Sequence, residues 1–207
     1  MMTKSLFWAV ATFAVLLDCR AQSVSATYDV SPTQSTLRWT GYYLFNFGEH
    51  TGTLSITEGK IFADGHSGIT GFITADMKSV RDTDMPYEDG GKDVSEHLMS
   101  KDFFDASQYP RARIEILQSE AVADAKPGDF NTKLVANLTI KDKTAPVTFY
   151  ATVARTPNSI TATGKFKFDR TRWGIEYNSG KVFSEVGDGA ISDAVAIEFN
   201  IVADIKQ

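Results

Sequence analysis

Cysteine is nearly absent from this chain of 207 residues, and the single one, Cys19, lies near the amino terminus. A disulfide within one chain is therefore excluded, as is a metal site built on several cysteine ligands. The fold has to be stabilised by side-chain packing. An apolar fraction of 43% and an aromatic fraction of 12% permit a substantial core for that purpose.

A concentrated basic segment is missing as well. The formal net charge is −5, and no block of lysine or arginine occurs, which argues against a nucleic-acid partner. Histidine is limited to His50, His66 and His97, and no two of them have the HxH or HxxxH spacing of metal ligands. The absence of these spacings indicates that the three histidines lie on the surface or in turns. No metal site is predicted.

Motifs of catalysis and of nucleotide binding are missing from the sequence. No GxSxG nucleophile pattern, phosphate-binding loop or dinucleotide fingerprint occurs. His97, Asp102 and Ser95 are the residues from which a hydrolytic set would be built, but no nucleophile pattern accompanies them. Glu96, Asp102 and Asp105 are better interpreted as solvated or capping residues at helix ends. No catalytic residue and no enzymatic activity are predicted.

The amino terminus has the pattern of a secretory signal peptide. Lys4 precedes an apolar run from Leu6 to Leu17, about twelve residues, which suits a signal and is too short to span a bilayer. Cleavage after Ala21 would divide the chain into a signal peptide, residues 1–21, and a mature domain, residues 22–207. The mature domain is then expected in the periplasm.

A lipoprotein signal is the alternative interpretation of the same segment. It would end at Cys19, which would be acylated and would anchor the protein in a membrane. Asp18 disfavours this interpretation, because a small residue is expected before the acylated cysteine.

From Tyr28 onward, apolar and polar residues alternate with the period of half-buried β-strands. The strictest alternation runs from Thr132 to Ile140, and a charged hairpin turn follows at residues 141–143. We count about eight such segments, and another hairpin is predicted at Glu58-Gly59. An all-β fold is therefore predicted. A closed barrel would remove exposed sheet edges. A two-sheet sandwich shows the same alternation, so it remains an alternative fold.

One stretch interrupts the strands. A long polar loop is predicted from Lys78 to Asp93, followed by a short helix within residues 94–110. Asp93 or Ser95 is the N-cap candidate, and Pro110 forces its preceding residue out of the helical region.

The interrupting stretch also carries apolar residues among its charges. Leu98, Phe103 and Phe104 give it one apolar side, which has to pack on another element. A short helix that closes a β-structure is the simplest interpretation.

The predicted interior combines small and large side chains. Small residues on the inward faces share those faces with Leu138, Phe149, Phe166 and Phe199: Ala136, Ala151, Ala162, Gly164 and Ala203. This pattern fits a barrel that is filled by its own side chains. It also fits a slot lined by aromatic rings, the form of an apolar ligand site, and both interpretations stay open.

Four motifs, in order along the chain, resemble those of the YceI-like family of lipocalin-like proteins. The first is the run from His97 to Asp105, followed by Tyr109-Pro110. The others are Leu138 to Val147, with its "LTI", turn and "PV", then Phe168 to Ile175, an arginine-containing turn before a glycine, and Ile191 to Val195. The resemblance covers Tyr28 to Ile205.

The resemblance implies a lipocalin-like, antiparallel, eight-stranded β-barrel that is closed by one short helix. It further implies an exported, non-catalytic carrier that holds an isoprenoid or another long-chain lipid, with no covalent cofactor. A tail of about forty carbons would contribute about −12 kcal/mol at roughly 0.3 kcal/mol per ligand atom. Transient membrane contact and a homodimer are compatible with this role. A ligand-free structural or stress-related domain and an enzyme for an apolar substrate remain as alternatives.

Strand phase and position at the closing helix select the candidate residues for this role. The expected ligand-binding side chains are Trp39, Phe45, Leu54, Phe103, Phe104, Phe149, Phe166 and Trp173. The weaker candidates for contact with a polar head group are His97, Arg170 and Arg172. Pairing of Arg170 with Asp169 or Asp193 is an alternative role for that arginine.

Overall fold

The structure is a computed structural model that describes residues 26–45, 48–64, 68–86, 90–180 and 190–205. The predictions on the signal peptide and on Cys19 lie outside these ranges. Within them the chain forms one α-helix, α1 (Gly91–Met99), and nine strands: β1 (Ala26–Val30), β2 (Thr36–Tyr43), β3 (Glu49–Ala63), β4 (Ile69–Asp82), β5 (Arg111–Ala121), β6 (Thr132–Ile140), β7 (Lys143–Arg155), β8 (Ser159–Asp169) and β9 (Ile191–Ile205).

The strands form one closed antiparallel sheet. From β3 to β9, each strand pairs with the next, and β9 and β3 both pair with β1 and with β2. β1 and β2 share one position: Tyr28 of β1 faces Ile61, whereas Leu37 of β2 faces Leu54 nearer the start of β3. The nine strands therefore make eight positions, and the predicted eight-stranded lipocalin-like barrel is confirmed.

The alternation in β6 predicts its bounds and its faces correctly. Leu134, Ala136, Leu138 and Ile140 are buried, and the residues between them are partly exposed. Inward side chains from every position build one core inside the barrel.

The hairpin predicted at Glu58-Gly59 is wrong, because β3 continues through these residues to Ala63. Gly59 has a different function. A Cβ atom there would lie 2.8 Å from Cγ2 of Val30, so the glycine allows β1 to pack closely on β3.

The polar loop predicted from Lys78 is wrong in its first part, because β4 extends to Asp82. Met77 and Val80 are buried, whereas Lys78 and Arg81 beside them are exposed. These two charges thus belong to the outer face of a strand.

The predicted caps of α1 are also wrong. The N-cap residue is Gly90, in the left-handed region with φ 113° and no side-chain cap, and both Asp93 and Ser95 lie inside the helix. α1 ends at Met99 rather than near Pro110, because turns follow it, with Asp105 at φ 45°. None of the described helices has the length and hydropathy needed to cross a bilayer.

The two ends of the barrel differ. We call the rim with α1 and the 3-10 helix Arg170–Trp173 the helix end, and the opposite rim the β1 end. At the β1 end Tyr28, Ala63 and Ala203 are buried in the core of the barrel. The helix end carries the two elements that lie outside the strands.

Candidate ligand-binding cavity

The barrel encloses a cavity of about 280 Å³. Its walls are mostly aliphatic and aromatic, from Ile61 at the level of β1 to Leu98 of α1. The charged and hydroxyl groups on the wall are concentrated toward the helix end: Tyr42, Tyr43, His50, His97, Arg113, Arg170 and Ser192. The volume is near the lower limit of small-molecule sites, which is about 300 Å³.

Aromatic rings from three strands form one side of the cavity. Phe149 of β7 stacks on Phe166 of β8, with the ring centroids 4.7 Å apart, and meets Phe199 of β9 edge to face at 5.7 Å. A Cβ atom at Gly164 would lie 2.6 Å from the Phe199 ring, so this glycine makes room for it. The small and large inward residues thus pack the rings and still leave a cavity.

The segment around α1 covers the helix end. Phe103 is buried, and its ring contacts those of His97 and Tyr177 at centroid distances of 5.0 and 5.3 Å. The His97 side chain is 41% exposed and also lines the cavity, so the cavity reaches the surface here. His97 Nε2 lies 3.1 Å from the Asp102 carboxylate, and this pair fixes the ring at the opening.

Six of the predicted ligand-binding side chains line the cavity: Trp39, Leu54, Phe103, Phe104, Phe149 and Phe166. Two do not. Phe45 is 63% exposed, because β2 ends at Tyr43 and the inward phase ends with it. Trp173 is fully buried outside the cavity, packed edge to face on Phe168 at 5.2 Å, and its Nε1 donates to Leu138 O at 3.0 Å.

Of the head-group candidates, His97 and Arg170 line the cavity and Arg172 does not. Arg172 is a surface residue that donates to Pro146 O at 3.2 Å. The Arg170 guanidinium donates to the backbone oxygens of Ser192, Ile175 and Ile191 and lies 3.6 Å from Asp193. Arg170 thus fastens the 3-10 helix to β9, which agrees with its alternative structural role.

Burial governs the charge of Arg170. Desolvation lowers the pKa of its guanidinium, while the charges of Asp193 and Asp169 raise it. The lowered pKa still leaves the group cationic at neutral pH, because a guanidinium loses its proton only far above that pH. Three of its five N–H donors are used by backbone oxygens, and Asp193 lies beside the guanidinium, so most of its bonding capacity serves the fold.

Trp39 contributes a donor that the sequence analysis did not single out. Its ring lines the cavity, and its Nε1 is buried with no hydrogen-bond partner in the described part of the chain. A ligand oxygen is the kind of group that would pair with it, because a buried donor without a partner is destabilising.

His50 is one of the polar wall residues that were not predicted, with Tyr42, Tyr43, Arg113 and Ser192. Counting back in steps of two from Leu54 gives Gly52 and His50 the same inward phase, so this signal was present.

Two carboxylates, those of Asp82 and Asp84, lie beside the His50 ring. Burial, and then the neighbouring Asp84 carboxyl group, raises the pKa of Asp82. Burial acts in the same direction on Asp84, but contacts with Asp82, the Thr51 amide and His50 outweigh it and lower the pKa of Asp84.

The profile of the YceI-like domain matches residues 28–203. A search of curated protein sequences gave no match. Among solved structures, BcnA from Burkholderia cenocepacia has a TM-score of 0.60 and 23% identity, over 84% of this chain and 98% of that chain. A polyisoprenoid-binding domain from Saccharophagus degradans, implicated in plant cell wall breakdown, has a TM-score of 0.59 and 14% identity, over 87% of this chain and 99% of that chain.

At these identities the two structures establish a shared fold. The profile match reaches from β1 into β9 and so includes every strand of the barrel. The chain therefore belongs to the YceI-like family.

Proposed function

We propose that this protein is a non-catalytic carrier that holds the tail of an isoprenoid or related long-chain lipid inside its barrel. The observation that carries the proposal is the cavity, apolar along its depth and polar at the helix end, where His97 is exposed. An amphipathic molecule would lie with its tail toward Ile61 and its head group at the opening.

The cavity walls supply the affinity in this proposal. Each buried methylene of a ligand contributes about 0.8 kcal/mol, so a tail contributes much more than a single polar contact. The unpaired Trp39 Nε1 favours a ligand with an acceptor oxygen. Three of the five Arg170 donors are already used by backbone oxygens, so this residue is less available to a head group than an unpaired arginine would be.

The ligand class is also supported by relatedness. The domain from Saccharophagus degradans, which has the same barrel over 87% of this chain, is described as polyisoprenoid-binding. A lipid that has to leave a membrane for such a barrel would make transient membrane contact part of the cycle.

The amino terminus supports export to the periplasm as the second half of the proposal. Mass spectrometry of the intact protein from a periplasmic extract tests it. A chain that begins at Gln22 is expected after cleavage behind Ala21, whereas a lipid adduct on Cys19 would replace this interpretation by the lipoprotein one.

The carrier role is tested by filling the cavity. Ala162 lines it, whereas Thr163, the next residue of β8, is exposed. Ala162→Phe should weaken polyprenol binding at least about tenfold, because the added ring takes up space that the ligand would occupy. A tenfold loss is about 1.4 kcal/mol, which is less than the contribution of two buried methylene groups. Binding is measured by displacement of a hydrophobic fluorophore.

Thr163→Phe is the matched control, since it adds the same ring to the outer face of the same strand. It should retain the affinity of the unchanged protein, and circular dichroism should show that both variants are folded. Equal affinities of the two variants would overturn the proposed location of the ligand.

A further inference from the structure

A histidine and two aspartates converge at the helix end. His50 is the second residue of β3, Asp82 is the last residue of β4, and Asp84 follows two residues later. His50 Nδ1 lies 3.2 Å from Asp82 Oδ2 and 3.4 Å from Asp84 Oδ2, and all three atoms lie within 4.8 Å of one another. The residues are far apart in sequence, so the spacing of histidines could not reveal this cluster.

Both carboxylates are oriented by backbone amides. The Met85 N–H donates to Asp82 Oδ1 at 3.0 Å, and the Thr51 N–H donates to Asp84 Oδ1 at 3.2 Å. In each case the second oxygen, Oδ2, is left facing His50 Nδ1. The cluster therefore presents one nitrogen and two oxygens whose positions are fixed by the backbone.

Two of the three converging atoms have no hydrogen-bond partner among the described residues. The Asp82 side chain has no exposed surface, and the whole residue is 7% exposed. Neither Asp82 Oδ2 nor His50 Nδ1 has a hydrogen-bond partner in the described ranges, although the two atoms are close. No lysine or arginine of those ranges forms an ion pair with Asp82 or Asp84. A bound metal cation would compensate the charge of a carboxylate in this situation.

Tyr43 contacts the other side of the histidine. Its hydroxyl lies 3.4 Å from His50 Nε2, and the two rings meet edge to face at 5.8 Å. When Nε2–H donates to the phenol oxygen, Nδ1 carries the free lone pair. This is the usual arrangement of a metal-binding histidine, whose second nitrogen is held by a neighbouring group.

The two distances measured from His50 Nδ1 fit a small divalent cation. Zinc bonds of about 2.0–2.1 Å to nitrogen and oxygen place neighbouring ligand atoms of a tetrahedron roughly 3.3–3.4 Å apart. The two distances measured from His50 Nδ1 are 3.2 and 3.4 Å. A histidine nitrogen also favours a zinc-class metal over magnesium or calcium, which prefer oxygen ligands.

We propose that His50 Nδ1, Asp82 Oδ2 and Asp84 Oδ2 bind one zinc-class divalent metal ion and leave a fourth coordination position for a non-protein ligand. Three protein ligands with an open position are typical of zinc sites that exchange a bound molecule. His50 also lines the cavity, so the ion lies at its polar end. The site stands on its own geometry and does not require the lipid.

Isothermal titration calorimetry of the metal-free, untagged mature chain with zinc chloride tests the site. One zinc ion per chain is expected to bind. Tyr43→Phe removes a contact that only supports the ligand His50, so it should weaken zinc binding roughly tenfold. His50→Gln and Asp84→Asn each remove a ligand and should weaken zinc binding more than Tyr43→Phe does. Asp102→Asn is the control, because it removes a carboxylate from the other histidine–aspartate pair and should leave zinc affinity unchanged.

Histidine-ring NMR on the unchanged protein gives a second measurement that does not depend on the folding of variants. Zinc should shift the His50 ring signals and leave those of His97 in place. The proposal is overturned if zinc does not saturate at one ion per chain, if His50→Gln binds as tightly as the unchanged protein, or if the His50 signals do not move at saturating zinc.

Discussion

Two buried tryptophans illustrate how position decides the role of a side chain. Trp39 points from β2 into the cavity and has an unpaired Nε1, whereas Trp173 packs behind the wall and donates to Leu138 O. Both were predicted to contact the ligand, because the sequence shows only that each is large and apolar. The different roles of the two tryptophans become visible only in the structure. Trp173 lies in the 3-10 helix, where the alternation of the strands does not predict which way a side chain points.

Replacing each of these tryptophans by phenylalanine separates binding from stability. Trp39→Phe should weaken polyprenol binding five- to tenfold, about 1–1.4 kcal/mol, because the ligand loses a buried donor. Trp173→Phe should leave affinity unchanged and lower the free energy of unfolding by about 1 kcal/mol more than Trp39→Phe does, since only Trp173 loses a hydrogen bond. Fluorophore displacement and urea unfolding measure the two effects, and a reversed order would contradict the assignment.

Gly164 allows the aromatic wall to form. Gly164→Ala would place a Cβ atom 2.6 Å from the Phe199 ring and 2.9 Å from Tyr150 O, so we expect a destabilisation of about 1–3 kcal/mol in urea unfolding. Gly41→Ala is the matched control, because no atom lies within 4 Å of its Cβ position. If the two variants have equal stability, the close packing of Phe199 on β8 is not as described.

At the scale of elements, the local sequence pattern predicted the bounds of a strand correctly where local interactions determine them. The alternation and the following turn define β6 with both its bounds. At Gly59 the pattern failed, because that glycine resembles a turn residue but accommodates Val30 from a distant strand. The start of α1 was missed for a similar reason: Ser95, which resembles a cap, forms a tertiary hydrogen bond.

That tertiary bond fastens α1 to the barrel. The Ser95 hydroxyl accepts from the Asp82 N–H at 2.9 Å and donates to Gly91 O at 2.7 Å. Ser95→Ala would leave the buried Asp82 amide unpaired, so we expect a loss of about 1–3 kcal/mol. Hydrogen exchange of residues 91–99 should become faster.

A surface contact on the same helix provides the comparison. Lys92 and Glu96 form an exposed pair at 3.7 Å, and Lys92→Ala should change stability by no more than about 0.5 kcal/mol. If Ser95→Ala has as small an effect as Lys92→Ala, α1 is held to the barrel by other contacts.

At the scale of the whole molecule, one closed sheet provides a packed region and a binding region. Tyr28, Ala63 and Ala203 are buried at the β1 end, while a cavity of about 280 Å³ opens toward α1. The sequence predicted the barrel and left open whether it was filled. That question depends on how Phe149, Phe166 and Phe199 pack across three strands, and such distances are set only when the sheet closes.

The most direct test of the carrier role is native mass spectrometry of the protein purified from its own host without detergent. A carrier should show a mass excess of one apolar molecule per chain, and organic extraction should release this molecule as an isoprenoid or related long-chain lipid. The Ala162→Phe variant should carry less of it. A ligand-free mass, together with no extractable lipid, would contradict the account.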